Sequence, residues 1–512
     1  MRADPNAPKH IVIVGGGSAG WMTASLMQHA WAEHGTKFTL IESSDIGIIG
    51  VGEGSTPYMR EFFRTLDIPE SEWMPACNAT YKCGISFPEW STKPGFTDYF
   101  HPFFSQFDLK TGNAFFHNCG LRRRGSEVPA HPDDFFVSAA LARDCRSPVP
   151  LDTLPFEPDY AYHFDAGLLG TFLKQRMLKL GLHHVIDNVE QVILDNQGNI
   201  DSLRTARSGD LDGDLFIDCS GFAGLLINKS LNAEFLTFNS NLFNDRAVAI
   251  ATQIDTEQPI VSQTRSVALK HGWAWNIPLT SRWGNGYVYS SDFISEDQAE
   301  AELRSELGDA ALNSDARHLK MRVGRLKEHW LKNCLAIGLS QGFIEPLEAT
   351  ALMLVQYSVQ RFIEDFSRGS FTDQHRDEFN NEVNALFEGV RDYVVSHYQN
   401  NSREDSEYWV ANRENSNISD NLAAIFHAWD EGLDFEAALT DHAHALVYLR
   451  PSWYCLLAGM GRFPTTLGPP ARNTQTAPAD QARRYCEHTA RRFCGHREQL
   501  MRTYGESWKA AN

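Results

Sequence analysis

The sequence predicts an α/β fold that carries a largely helical lobe, and three patterns predict it. Residues 10–42 read as a strand, a glycine-rich turn, a helix and a second strand. Residues 215–218 read as a short buried strand and residues 247–290 as β-rich, whereas residues 376–512 show mostly helical spacing. With 512 residues of ordinary globular composition, the chain can bury a large core without disulfide or metal cross-links.

The first unit carries a G-x-G-x-x-G motif at residues 15–20, between a strand at 11–14 and a helix at about 21–32. Gly15 permits a tight turn, Gly17 lets the backbone approach a pyrophosphate, and Gly20 lets the helix pack closely on the strand. Glu42 ends the second strand, where a carboxylate can hold a ribose hydroxyl. The motif predicts a site for FAD or NAD rather than NADP; the alternative is a purely structural glycine turn.

Two later turns match the same module. The strand at 215–218 ends in Asp218 and a Cys-Ser-Gly turn, which is typical of FAD-binding folds of the glutathione-reductase type, although any buried strand could end this way. Residues 334–340 read as a strand and turn, and a helix at 347–368 follows them. The free N–H groups at the start of that helix form an anion site or an edge for a flavin ring. The predicted fold is therefore an FAD-binding module of the glutathione-reductase/flavin-monooxygenase type.

The module is interrupted. Residues 83–159 are rich in Phe, Pro and His with little periodicity, and a Pro/Gly/Thr loop covers residues 464–478. We predict that residues 1–82 and 160–375 form the FAD-binding module, and that residues 83–159 and 376–512 form a mostly helical substrate-binding lobe. No second G-x-G-x-x-G motif occurs, so the protein must receive its reducing equivalents from another protein or a transiently bound donor.

Composition excludes several partners. The 46 Lys and Arg against 65 Asp and Glu give a net charge of −19, which repels a phosphate backbone and argues against nucleic acid. No run approaches the roughly 18 apolar residues of a membrane span. The nine cysteines are scattered without a CxxC pair, which favours reduced thiols in a cytoplasmic enzyme. His442 and His444 lack further ligands nearby, so no metal site is predicted.

Two further features are ambiguous by themselves. Residues 272–278 read W-x-W-x-I-P; the two tryptophans are typical of a core strand, or they wall off a flavin compartment. Lys82, in Ala-Thr-Tyr-Lys-Cys, would ordinarily be a solvated surface charge.

Together these motifs resemble the flavin-dependent tryptophan halogenase family. The resemblance runs from residue 10 to about 415 and returns weakly at residues 454–459. It is carried by residues 15–21, the Gly-Val-Gly-Glu-Gly-Ser-Thr-Pro stretch at 50–57, Lys82, the W-x-W-x-I-P motif, and residues 338–350, 402–405 and 409–413. A flavin monooxygenase that hydroxylates an aromatic is the alternative; a non-catalytic FAD-binding protein is a third possibility.

The resemblance implies a mechanism. A separate NADH-dependent reductase supplies FADH2, molecular oxygen forms a flavin hydroperoxide, and bound chloride or bromide attacks it to give hypohalous acid. Lys82 then holds this acid by a hydrogen bond or as a haloamine. The halogen is transferred to an aromatic carbon, with Glu348 polarising the oxidant or taking the proton.

The family's remaining functional positions carry over to this chain. FAD contacts fall on Gly15, Gly17, Ser18, Ala19, Gly20, Glu42, Gly54, Val189, Leu339 and Leu352. Halide contacts fall on the backbone N–H groups of Thr350 and Ala351, and substrate contacts on His101, Phe103 and Tyr448.

Two departures from the family pattern bear on specificity. The usual Glu-Ser-Thr-Gly reads Glu-Ala-Thr-Ala at residues 348–351, which favours a larger halide such as bromide. Residues 434–450 lack the aromatic lid that clamps free tryptophan, so we expect indole or an indole derivative as substrate. The sequence leaves the choice between monomer and homodimer open.

Overall fold

The computed structural model describes residues 6–45, 52–255, 257–470 and 474–508. Gly50 and Val51 of the predicted 50–57 motif lie outside these residues. In chain order the strands are β1 (His10–Val14), β2 (Lys37–Glu42), β3 (Glu53–Gly54), β4 (Thr80–Lys82), β5 (Gly84–Ser86), β6 (Phe100–Pro102), β7 (Arg146–Pro150), β8 (Ala161–Phe164), β9 (His183–Ile186), β10 (Val189–Leu194), β11 (Ile200–Thr205), β12 (Asp210–Asp212), β13 (Leu215–Asp218), β14 (Phe235–Thr237), β15 (Arg246–Thr252), β16 (Thr264–Leu269), β17 (Gly272–Pro278), β18 (Trp283–Tyr289), β19 (Ala316–Lys320), β20 (Gly324–Leu326), β21 (Trp330–Leu331), β22 (Cys334–Ala336), β23 (Gly342–Phe343) and β24 (Phe493–Gly495).

In chain order the α-helices are α1 (Ser18–Trp31), α2 (Tyr58–Thr65), α3 (Glu70–Ala76), α4 (Leu109–Arg123), α5 (Val137–Arg143), α6 (Ala166–Lys179), α7 (Glu296–Leu307), α8 (Ala351–Arg368), α9 (Arg376–Asn400), α10 (Glu407–Glu414), α11 (Asp420–Asp430), α12 (Phe435–Asp441), α13 (Arg450–Gly459), α14 (Ala479–Ala490) and α15 (His496–Tyr504).

A six-stranded sheet forms the base of the nucleotide-binding module, in the order β21-β22-β13-β1-β2-β9. Strands β22, β13, β1, β2 and β9 are parallel neighbours. Every residue of β13 and nearly every residue of β1 and β2 is buried, as expected of a parallel sheet covered on both faces. The carboxyl ends of these strands therefore meet at one edge, where ligands bind in open α/β sheets.

A second, seven-stranded sheet has the order β19-β15-β18-β17-β16-β5-β6 and contains the W-x-W-x-I-P strand β17. Strands β5 and β6 come from the segment 83–159, and β5 pairs with β16 in parallel. The segment expected to be an irregular insertion thus contains β7 and helices α4 and α5 besides the two strands that join this sheet. The sheet joins residues on both sides of the predicted boundary at residue 82.

One continuous cluster of buried apolar side chains spans both predicted lobes. It includes Trp273 of β17, Tyr393 of α9 and Trp453 of α13. Helices α1, α6 and α8 pack together against the first sheet, and α9 lies beside α8. The division into an FAD-binding module and a substrate lobe stays a prediction.

Two element boundaries differ from the sequence prediction. The sequence pattern at residues 185–189 predicts a strand, but the Asp187 carboxylate accepts hydrogen bonds from the backbone N–H groups of Asn188, Arg207 and Ser208, and this turn separates β9 from β10. The helix expected from residue 347 begins at Ala351, because Ala349 has a left-handed backbone (φ 57°) that ends a short 3₁₀ turn at Pro346–Glu348. In both cases a local polar or backbone feature overrides the apolar pattern.

Candidate active site

The first part of the site is the edge of the six-stranded sheet. Val14 of β1 is in register with Asp218 of β13, and Asp218 with Ala336 of β22. The turns that follow these strands, together with Glu42 at the end of β2, therefore lie side by side. We call this set the dinucleotide edge: residues 15–20, Glu42, residues 219–221 and Gly338–Ser340.

The three motif glycines at this edge differ in the space that surrounds them. Gly15 has φ +118°, and a Cβ there would lie 2.1 Å from Cys219 O. A Cβ on Gly20 would lie 1.9 Å from Gly15 O, so helix and strand approach too closely for any side chain. A Cβ on Gly17 would meet nothing within 4 Å, which leaves open space directly before the first residue of α1.

The start of α1 offers free backbone donors, because no side chain caps it. Ser18 Oγ instead donates to Ala166 O. A Cβ on Gly338 would lie 2.7 Å from Ala19 Cβ, so the turn that contains Leu339 lies directly against the glycine motif at residues 15–20. Leu352 lies in the first turn of α8, and α8 packs on α1. The predicted cofactor residues of the two distant segments are therefore neighbours.

The Glu42 carboxylate already has two hydrogen-bond partners within the protein. Its Oε1 accepts from Lys174 Nζ at 2.8 Å and from His184 Nε2 at 2.7 Å, and a Cβ on Gly16 would lie 1.5 Å from Oε2. These contacts fix the carboxylate beside the glycine turn. Val189 is partly buried at the start of β10 and packs against the cluster that contains Val14 and Ile41.

The open cradle at Gly17, the uncapped α1 and the fixed Glu42 together fit a dinucleotide such as FAD. Asp218 does not face a ligand: its carboxylate accepts from Ser220, Leu226 and Ile227 backbone N–H groups and shapes the turn.

The second part of the site surrounds Lys82, which is fully buried at the end of β4. Lys82 Nζ donates to Ser55 O at 3.0 Å and lies 5.6 Å from the centre of the Phe103 ring. Burial lowers the pKa of Lys82 from 10.5 to about 7, although nearby Glu348 opposes this shift. Near neutral pH the amine and the ammonium are therefore both populated.

Glu348 is buried between two histidines. His101 Nδ1 lies 2.9 Å from Glu348 Oε2, and His397 Nε2 lies 3.1 Å from Oε1. Burial by itself would raise the pKa of Glu348, but His101 and then His397 outweigh it and lower the pKa to about 2. His101 Nε2 also contacts Ser452 Oγ at 2.9 Å. The carboxylate is thus held ionised and in one orientation.

A second buried carboxylate nearby in the sequence, Glu345, belongs to a different hydrogen-bond network. Its Oε2 accepts from Trp273 Nε1 at 2.7 Å, Tyr398 OH at 2.6 Å and Asn244 Nδ2 at 2.9 Å. Glu345 therefore anchors the first tryptophan of the W-x-W-x-I-P strand, while Glu348 interacts with Lys82. The rings of Trp273 and Trp275 are both buried, with centroids 6.2 Å apart.

The residues predicted to bind the halide lie close to Lys82 and Glu348. Thr350 precedes α8 and Ala351 is its first residue. Thr350 Oγ1 is buried and has no hydrogen-bond partner among the described residues. Ala349 Cβ lies 3.6 Å from the position of a Cβ on Gly54, and Lys82 Nζ lies 3.2 Å from the same position. Gly54, assigned to the cofactor by resemblance, is therefore adjacent to Lys82.

Aromatic residues from distant segments lie near Glu348 and His101. Tyr448 stacks on Tyr393 at 3.6 Å, and Trp453 packs edge-on against Tyr393 at 5.0 Å. Tyr393 in turn lies 6.0 Å from the His101 ring. We call Lys82, Glu348, His101, His397, Phe103, Tyr393, Tyr448 and Trp453 the halogenation pocket.

Sequence reasoning missed three members of this pocket. Tyr393 and His397 are one turn apart on α9, where helical spacing gave only a buried face. Trp453 lies just beyond the 434–450 segment that was searched for a lid. The apolar pattern marks all three as core, so only the fold could reveal what they face.

The described residues contain neither a cluster of metal ligands nor a membrane-spanning helix. No cluster of three or more His, Cys, Asp or Glu side chains is arranged to hold a metal ion in the described ranges. Among the described helices, none has the length and apolarity required to cross a membrane.

Comparison with known proteins matches this geometry. Residues 10–476 match the sequence model of the tryptophan halogenase family. The chain is 37% identical over 478 residues to the tryptophan 6-halogenase SttH of Streptomyces toxytricini, covering 89% of this chain and 90% of that protein.

Solved structures agree. Tar14, a tryptophan C-6 flavin-dependent halogenase (chlorinase) from taromycin biosynthesis, superposes with a TM-score of 0.84 at 35% identity, over 97% of this chain and 99% of Tar14. BrvH, a flavin-dependent halogenase from Brevundimonas sp. BAL3, superposes with a TM-score of 0.82 at 31% identity, over 97% and 99% of the two chains.

These relatives are halogenases, so the hydroxylase alternative is set aside. The predicted α/β FAD-binding fold and the family resemblance are confirmed. The chain belongs to the tryptophan halogenase family and is a flavin-dependent halogenase that works with a separate flavin reductase.

Proposed function

We propose that this halogenase uses FADH2, molecular oxygen and bromide or chloride to halogenate indole or a simple indole derivative. The observation that carries the proposal is the buried pair of Lys82 and Glu348 beside an aromatic pocket, next to the start of α8. When bound at the dinucleotide edge, reduced FAD supplies the two-electron reduction of oxygen that makes the halide electrophilic.

Lys82 receives the electrophilic halogen. With its pKa lowered to about 7 by burial, Lys82 can act as an ammonium that donates a hydrogen bond or as an amine that forms an N–halogen bond. Both forms need Nζ to be held in place, and Ser55 O supplies one fixed acceptor at 3.0 Å.

Glu348 stabilises the positive charge that develops on the aromatic ring. A carboxylate whose pKa is near 2 stays ionised at neutral pH and acts electrostatically without reorganising. Its oxygens can also accept the ring proton, and the flanking histidines His101 and His397 fix them. This supports Glu348 rather than Glu345 as the catalytic carboxylate.

The halide site is proposed at the backbone N–H groups of Thr350 and Ala351. The start of α8 has no side-chain cap, so its amides can bind an anion. Methyl groups at residues 349 and 351 replace the serine and glycine of the family pattern and surround the site with apolar surface. We therefore expect bromide to be used better than chloride, because a larger anion loses less on desolvation.

The substrate is proposed from the pocket wall. Tyr448 OH and Trp453 Nε1 are buried and have no hydrogen-bond partner among the described residues. Arg450, the cation closest in sequence to Tyr448, pairs with Glu436 and lies over the Phe116 ring, so it is not free for a substrate carboxylate. The wall thus suits a neutral aromatic better than a zwitterionic amino acid.

Two further expectations complete the proposal. The nine cysteines are free thiols, which supports a reducing compartment such as the cytoplasm. The dinucleotide edge is built around a single G-x-G-x-x-G motif, so the purified protein should be inactive with NADH until a flavin reductase is added.

The deciding experiment compares indole and free tryptophan under identical FAD, reductase and halide supply, with products identified by mass spectrometry. We expect faster turnover of indole, with the halogen at C3, its most nucleophilic carbon. Faster turnover of tryptophan at one benzo-ring position would instead show that residues around 448–453 form an amino-acid clamp.

A further inference from the structure

A buried histidine and a buried threonine, His163 and Thr264, lie near Lys82. Thr80 and Lys82 of β4 are in register with His163 and Ala161 of β8, and Thr264 begins β16. Lys82 and His163 are fully buried, and Thr264 is 6% exposed. None of the roles assigned above uses either His163 or Thr264.

The directions of the hydrogen bonds in this group are fixed. Thr80 Oγ1 lies 2.7 Å from Pro278 O, and because a carbonyl can only accept, the Thr80 hydroxyl donates there. His163 Nδ1, 3.0 Å from Thr80 Oγ1, must therefore donate to it. Burial, Lys82 and His496 lower the pKa of His163 well below its usual value, so Nε2 carries no proton and accepts from Thr264 Oγ1 at 2.9 Å.

The Thr264 oxygen is then left with lone pairs only. A Cβ on Gly54 would lie 3.2 Å from Lys82 Nζ and 3.2 Å from Thr264 Oγ1. Both atoms therefore lie beside the space that Gly54 leaves open. A side chain at residue 54 would fill that space.

We propose that Thr264, held by His163, is a positioning residue for Lys82. It accepts a hydrogen from Nζ through one water molecule in the space beside Gly54. With Ser55 O as the other acceptor, two of the Nζ directions are occupied. The remaining direction, which carries the amine lone pair or the third ammonium hydrogen, is left for the halogen. The inference rests on the proposed role of Lys82.

Other titratable groups also surround Lys82. Glu348 faces it from the 3₁₀ turn, and Glu53 of β3 precedes Gly54. Burial and then Asp165 raise the pKa of Glu53 to about 7, within the range where Lys82 titrates. His496 of α15 faces His163 from the other side. The test therefore compares variants at Thr264, which leave all of these groups in place.

The experiment compares Thr264→Val, which keeps the shape and removes the hydroxyl, with Thr264→Ser, which keeps the hydroxyl. Thr252→Val is the matched control, since Thr252 is also buried in the seven-stranded sheet and contacts Asn285. Each variant is assayed for halogenated indole formed per flavin oxidised, as a function of pH, and for its melting temperature.

We expect Thr264→Val to lower halogenation by about tenfold, with Thr264→Ser within about threefold of the original protein. Losing an acceptor disfavours the ammonium, so the Lys82 limb of the pH profile should move toward lower pH by about one unit. Thr252→Val should show no such shift, although its melting temperature falls similarly.

Three results would overturn the inference: an unchanged rate and pH profile in Thr264→Val, equal losses in Thr264→Ser and Thr264→Val, or the same pH shift in Thr252→Val. Failure of the proposed function is distinct, because the unsubstituted protein would then form no halogenated indole at any pH.

Discussion

The dinucleotide edge and the halogenation pocket use opposite means to build a site. The dinucleotide edge is mostly backbone: glycines, strand ends and the uncapped start of α1. The halogenation pocket is made of buried side chains from segments hundreds of residues apart, such as His101, Glu348 and His397. A backbone site is determined by local sequence, whereas a side-chain site depends on how distant elements pack.

The two sites also differ in electrostatics. At the dinucleotide edge, Glu42 is partly exposed and balanced by Lys174 and His184. In the pocket, Lys82 and Glu348 are desolvated and their pKa values are shifted to about 7 and about 2. At neutral pH the lowered pKa of Lys82 costs stability, whereas the lowered pKa of Glu348 contributes stability, and shifted pKa values of both kinds are typical of functional positions. Substitutions in the two regions should therefore impair the enzyme in different ways.

The largest effect is expected at Lys82. Lys82→Ala should lower halogenation by about three orders of magnitude, roughly 4 kcal/mol of barrier, because no other placed amine can hold the halogen. FAD binding and flavin reoxidation should be unchanged. The measurement is product formation against flavin oxidation, with the exposed Lys327→Ala as control. Substantial halogenation by Lys82→Ala would contradict the assignment.

Glu348→Gln should slow halogenation by at least about tenfold, about 1.4 kcal/mol of barrier, because the amide keeps the shape but not the charge. Glu345→Gln is the matched comparison: it should chiefly disturb Trp273 and stability. Steady-state rates and melting temperatures of both variants show which carboxylate acts in catalysis and which stabilises the fold. A larger rate loss in Glu345→Gln would reassign the catalytic carboxylate.

Gly17→Ala tests the backbone site. The added methyl meets no protein atom, so folding should be unaffected, but it occupies the space proposed for the pyrophosphate. We expect FAD affinity to fall by about tenfold or more, with halogenation restored by excess FAD. Gly495→Ala, also in open space, is the control. Unchanged FAD affinity in Gly17→Ala would show that the pyrophosphate does not bind at this position.

Lys82→Met tests the stability cost of the pocket. The folded-state pKa of Lys82, about 7, lies below the 10.5 of an unperturbed lysine, so the unfolded chain binds the proton more tightly. This destabilisation is complete below the folded pKa and disappears as pH rises toward 10.5. The melting temperature of Lys82→Met should therefore be a few degrees higher at neutral pH. In a large chain, 1 kcal/mol of added stability raises the melting temperature by roughly 2–4 °C or less.

The same variant supplies its own control, because its advantage should shrink as the pH is raised. A melting-temperature difference that is independent of pH between neutral and alkaline conditions would show that packing, rather than the charge of Lys82, sets the difference.

The smallest effect is expected at the halide site. Ala351→Gly removes one methyl beside the start of α8 and should raise the ratio of chlorination to bromination by about fivefold, since about 1 kcal/mol separates such environments. Competition between the two halides in one assay measures the ratio directly. Ala423→Gly, in the first turn of α11, controls for the helix cost of glycine.

The sequence predicted the local parts of this molecule well. Residues 10–42 form β1, α1 and β2 as expected, and the turns after β13 and β22 lie at the same sheet edge as the glycine motif. Each of these depends on a few adjacent residues and on the rule that parallel strands end at one edge. The start of α8 shifted because a single left-handed residue, Ala349, outweighed the helical pattern.

Some of the pocket could not be predicted from the sequence. Tyr393, His397 and Trp453 read as core, because burial and helical spacing are the same for a packed residue and for one that lines a cavity. His163 and Thr264 give no signal at all, since their relation depends on the pairing of β4 with β8 and on the missing side chain of Gly54.

The sequence by itself determined the family and predicted the dinucleotide-binding turn and the roles of Lys82 and Glu348, because these rest on short motifs whose chemistry is local. Only the tertiary structure decided what surrounds the two charged groups. Burial takes water away from Lys82 and lowers its pKa, and two histidines from distant segments keep Glu348 ionised. Desolvation and pairing are properties of three-dimensional packing, so no reading of adjacent residues can supply them.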